Sequence, residues 1–104
     1  MVEKQLQREK LLQIVSPELN EYVSAKLEER FNIHSFDITL KGIEKEGGIH
    51  VIFRYGDGFA HQMDHFFPYT AISAESVEIK EFTESAGETC KDVMISEYYK
   101  MMDL

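Results

Sequence analysis

The stretch from Ile49 to Phe67 constrains this chain most. Two alternating segments flank Gly56-Asp57-Gly58, with Ile49, Val51, Phe53 and Tyr55 on one and Phe59, Met63 and Phe67 on the other. Alternation at period two is the mark of a strand with one buried face. Two glycines around an acidic residue supply the turn. A three-residue loop with glycine in the left-handed position sets Tyr55 opposite Phe59 and Val51 opposite Met63. A two-residue loop would turn the two apolar rows to opposite faces, so the three-residue loop is the expected one.

A further strand precedes the hairpin. Phe36, Ile38 and Leu40 face one way and Asp37, Thr39 and Lys41 the other, with Glu46-Gly47-Gly48 as the turn into Ile49. Before it the apolar period is helical. Leu6, Leu11, Leu12, Ile14 and Val15 suggest a first helix. Ser16-Pro17 then opens a second over about residues 17 to 31, with Leu19, Tyr22, Val23, Leu27 and Phe31 on its inner side. Pro68 closes the third strand. Residues 76 to 83 carry both a strand-like alternation of Val77 and Ile79 and a helix-like spacing of glutamates. The β-favouring Val, Ile, Phe and Thr tip them towards a fourth strand. Ser85 and Glu88 fit a capping box for a last helix through Cys90, Val93, Met94, Tyr98 and Met101.

These elements predict one α+β domain over residues 1–104. It has a three- or four-stranded antiparallel meander sheet with helices packed on one face, in the order α-α-β-β-β-(β)-α. A length of 104 residues and a hydrophobic content of 43% suffice for a single core. The lone Cys90 excludes an internal disulfide and a multi-cysteine zinc motif. The first residues lack the apolar core of a signal peptide, and no apolar run nears the roughly 20 residues of a membrane span. A cytoplasmic location is expected by exclusion.

The net charge is -8, and residues 71 to 104 hold three Lys or Arg against eight Asp or Glu. Such a balance repels phosphate backbones and anionic membranes, which argues against direct nucleic-acid or membrane binding. It leaves open an acidic decoy that mimics nucleic acid, for which glutamates at 75, 78, 81, 84 and 88 would form the row.

Chemistry could gather at His50, His61 and His65 in the hairpin. His61-Gln62-Met63-Asp64-His65 superficially resembles a zinc-protease helix, but Gln62 cannot act as the general base that chemistry requires. On a strand, His61 and His65 would also stand about 13 Å apart. His50, His61 and His65 remain the metal-ligand candidates; the alternative is histidines bonded to backbone or carboxylate partners. Cys90 falls on an apolar helical stripe, where a small core residue is the ordinary reading. No nucleophile elbow, Walker loop or dinucleotide fingerprint occurs. No catalytic residue and no cofactor are therefore assigned, and a non-enzymatic role is expected.

The last helix carries more apolar residues than one packed face needs. Ile95, Tyr99 and Met102 form a second stripe beside that of Cys90, Val93, Met94, Tyr98 and Met101. Either the N-terminal helices cover it or another protein does. Met and Tyr suit adaptable contact surfaces. The sequence thus points to a regulator or adaptor acting by protein–protein contact, as a homodimer or with a protein partner.

Overall fold

A computed structural model describes residues 8–102. The chain forms strand β1 (Lys10–Leu11), a single helical turn α1 (Leu12–Val15) and helix α2 (Pro17–Phe31). Strands β2 (Ile38–Lys45), β3 (Gly48–Tyr55) and β4 (His61–Pro68) follow, and then the long helix α3 (Val77–Met102). The four strands make one antiparallel sheet in the order β1-β2-β3-β4. No helix among the described residues is long and apolar enough to cross a membrane.

Helix α2 forms where its caps and stripe place it. The Ser16 hydroxyl accepts the Leu19 N–H at 3.3 Å, and Pro17 occupies the first helical position. Asn32 ends the helix in the left-handed conformation, returning its N–H to the Glu28 carbonyl. Leu19, Val23 and Leu27 are buried against the sheet, with Tyr22 and Phe31 partly buried beside them.

The fourth strand is not where the sequence placed it. Residues 77 to 83 are the first two turns of α3, and the fourth strand is the short Lys10–Leu11, which pairs with Lys41 and Gly42. The β-favouring side chains at 77 to 83 follow the helical period because their packing demands it. Ile79, Phe82, Thr83, Ala86 and Cys90 make one continuous buried stripe. The cap of α3 is accordingly Ser76, whose hydroxyl accepts the Ile79 N–H at 3.2 Å, and not Ser85. The expected first helix shrinks to α1, and Leu6 lies outside the described residues. Gly42 of β2 lets α1 sit on the sheet, since a Cβ there would stand 3.0 Å from the Leu12 side chain.

The hairpin keeps its predicted faces but not its predicted loop. Tyr55 pairs with His61 and Val51 with His65, so five residues, Gly56 to Ala60, make the connection. Asp57–Phe59 form a 3-10 turn, in which Gly56, Gly58 and Phe59 all take positive φ. Five and three are both odd, so the odd-numbered residues of both strands still share the helix-covered face. Phe36 departs further: it precedes β2 in the turn Ser35–Asp37 and is 79% exposed.

Candidate functional site

The three hairpin histidines are held apart by separate carboxylates. His65 faces α3, with its Nε2 2.7 Å from Glu78 Oε2 and its ring against Phe67 and Phe82. His61 shares that face four residues away, stacked on Tyr55, with Nε2 3.9 Å from Glu97 Oε2. His50 stands on the opposite face, and its Nε2 lies 2.6 Å from Asp64 Oδ2. His65 lies opposite Val51, while Phe66 occupies the place across from His50. Asp64 pairs with Ile52, two residues along β3 from His50, and is therefore the diagonal cross-strand neighbour of His50, which is how the strand geometry brings that acid and base together. Among the described residues no three His, Cys, Asp or Glu side chains assemble into a metal-binding group.

Cys90 is fully buried on the inner side of α3, its Sγ 3.7 Å from the Met94 Sδ. Burial pushes its thiol up to about 11, and the Asp37 carboxylate adds to the effect. A thiol so placed is packing material and not a nucleophile at neutral pH.

The glutamates do not form an open row. Glu78 turns towards β4 and His65, whereas Glu84 turns towards α2 and meets Arg30 at 2.8 Å. Two of the five are thus tied to neighbouring elements, Glu78 to β4 and Glu84 to α2.

The outer side of α3 is the feature that remains. Ile95, Tyr99 and Met102 are 51%, 64% and 63% exposed, so neither α1 nor α2 covers them. They lie opposite the core stripe and not beside it, because Tyr99 follows Cys90 by nine residues, about two and a half turns. Tyr98, expected in the buried stripe, is 60% exposed. The reason is length: α3 continues past the end of the sheet, and its last turns have no strand beneath them. Val93 and Met94 do pack partly into the core; the side chain of Met101 lies outside the described set.

Phe36 and Phe59, like Tyr98, are exposed against the sequence pattern, which places Phe36 in the buried row of a strand and Phe59 in a register that buries it; Phe59 is 44% exposed. The signal available for Phe59 was its neighbour Gly58, since a run of positive φ values lifts a loop off the sheet.

Glu97 organises this end of the molecule. Both of its carboxylate oxygens accept the backbone N–H of Asp57, at 3.1 and 3.0 Å, joining α3 to the hairpin loop. Gly56 permits the approach: its φ is 84°, and a Cβ there would fall 2.6 Å from the His61 ring. Between loop and helix runs an open groove of about 290 Å³, lined by His61, Asp92, Val93, Ser96, Glu97 and Lys100. This end of the molecule thus combines exposed apolar and aromatic side chains on α3 with a groove lined mostly by polar ones. No protein-family model, no curated protein and no solved structure matches this chain.

Proposed function

We propose that this protein is a small cytosolic, non-enzymatic regulator or adaptor that works through protein–protein contact, and that it does so as a homodimer joined through the outer side of α3. The observation that carries this reading is the exposure of Ile95, Tyr99 and Met102 on a helix whose opposite side already supplies the core. A helix that needs one apolar side for folding and has two leaves the second for a partner.

Sedimentation equilibrium on the wild-type chain and on the triple variant Ile95→Ser/Tyr99→Ser/Met102→Ser tests the proposal. The expected result is a wild-type dimer and a monomeric variant with an unchanged circular dichroism spectrum. A wild-type protein that stays monomeric at every accessible concentration would overturn it.

A further inference from the structure

We infer that the second copy docks on a composite surface at one end of the molecule, in which Phe36 and Phe59 join Ile95, Tyr98, Tyr99 and Met102. This rests on the homodimer reading and goes beyond it by assigning two residues outside α3. The topology brings the six together. Ile38, Tyr55 and His61 form the last rung of the sheet. Phe36 leads into that rung from one side and Phe59 from the other, each two residues away. Glu97 ties α3 to the same loop through the Asp57 N–H, so the turns that follow it project beyond that rung.

Phe59 gives the surface a rigid element. Its φ is 56°, a left-handed conformation that bulky residues avoid and that glycine or asparagine would adopt at little cost. Yet an aromatic ring stands there, half exposed, in a loop pinned by Glu97. A contact role accounts for a strained and exposed aromatic in a way that loop closure does not.

The area is what argues for a second copy as the occupant. The six side chains are 44% to 79% exposed. At the size of aromatic and long aliphatic side chains they offer roughly 700 Å² of apolar surface, about a third of it from Phe36 and Phe59. With a polar rim this reaches the roughly 800 Å² per partner of a standard interface. Two copies of an acidic chain repel, and the repulsion is weaker at this end than along the first half of α3. Residues 89 to 102 hold Lys91 and Lys100 against Asp92 and Glu97, with Asp37 and Asp57 beside the two phenylalanines, whereas residues 75 to 88 hold five glutamates against Lys80. Glu88, the nearest of those five, lies about 16 Å from Tyr99 along the helix, against a screening length of about 8 Å.

Sedimentation equilibrium of the full chain separates this inference from the simpler one, using Phe36→Ser, Phe59→Gly and Tyr99→Ser. Both phenylalanine variants are expected to raise the dimer dissociation constant by at least about tenfold. Phe59→Gly should do so while the monomer melts no lower than wild type, because glycine relieves the left-handed strain. A loop residue with no contact role would show unchanged dimerisation. If Tyr99→Ser dissociates the dimer while both phenylalanine variants leave it intact, the composite surface is refuted and the α3 interface stands. A monomeric wild type refutes both, and would assign this end to a different protein.

Discussion

Glu97 accepts the Asp57 backbone N–H with both carboxylate oxygens, at 3.1 and 3.0 Å, and so fastens the β3–β4 loop to α3. A hydrogen bond to a charged acceptor is worth about 1.5–3 kcal/mol when buried and less when partly solvated. Glu97→Ala should therefore lower stability by roughly 1–2 kcal/mol in urea unfolding. The Asp57 amide should also exchange with solvent markedly faster. Glu97→Gln, which retains one acceptor oxygen, should lose less. An Asp57 exchange rate unchanged in the alanine variant would show that the loop holds its shape without the helix.

Gly87 lies in the interior of α3, where glycine ordinarily costs about 1 kcal/mol relative to alanine. Here it makes room: a Cβ would sit 2.2 to 2.7 Å from three carbons of the Phe31 ring at the end of α2. The whole ring would have to move, and overpacking of that kind costs about 1–3 kcal/mol. The clash outweighs the helix-propensity gain, so Gly87→Ala is expected to destabilise by about 1 kcal/mol net. Adding Phe31→Leu to that variant should recover part of the loss. A more stable Gly87→Ala protein would mean that the two helices can separate freely.

The contrast between Ser16 and Ser76 shows what the sequence disclosed and what it withheld. Both serines cap helices, but Ser16 is followed by proline and a clean apolar stripe, with no competing signal. Ser76 is followed by Val77, Ile79, Phe82 and Thr83, whose β preference is a property of each residue alone. It yields to the stripe that Ile79, Phe82 and Thr83 form with Ala86 and Cys90 only when α2 and the sheet are in place. The hairpin shows the same division. Side-chain alternation determines which face is apolar, so the faces were legible. Loop length is set by the φ values of Gly56, Gly58 and Phe59, and Phe59 is not a residue from which a positive φ is anticipated. The exposed stripe at Ile95, Tyr99 and Met102 was legible as a surplus. Its position opposite the core follows from the nine-residue spacing of Cys90 and Tyr99, whereas the exposure of Tyr98 depends on where α3 outruns the sheet, which no local pattern encodes.

Arg54 on the outer face of β3 grips Glu9 with two bonds, at 2.8 and 2.9 Å, and also donates to Gln62 Oε1 on β4. The hydrogen bond from Arg54 holds the Glu9 carboxyl below its ordinary 4.5. With the folded value depressed, the stabilisation is present above pH 4.5 and is lost as pH falls through the lower, folded value. Both side chains are about a third exposed, so screening keeps the contribution under about 1 kcal/mol. Arg54→Met should flatten the acid limb of the stability profile by that modest amount, lowering stability slightly in the neutral region, where the pair is intact, and leaving it unchanged at the acid end, where Glu9 is protonated. An acid limb identical to wild type would place the pair outside the folding equilibrium.

Cys90 supplies the opposite sign. Its thiol, buried beside Met94, is raised by burial from 9.0 to about 11. Below pH 9 the thiol keeps its proton both folded and unfolded, and the slope of stability with pH from this group is zero. Between 9.0 and about 11 the unfolded chain releases the proton while the folded chain retains it, so stability falls as pH rises. Cys90→Ala should remove that part of the alkaline limb, although loss of the sulfur costs some packing at every pH. A second measurement keeps the two effects apart. Labelling of the wild-type thiol by an alkylating reagent at pH 8 should be slow under native conditions and should accelerate with urea in step with global unfolding. Rapid native-state labelling would show that the inner side of α3 opens locally, and would overturn the assignment of Cys90 to the rigid core.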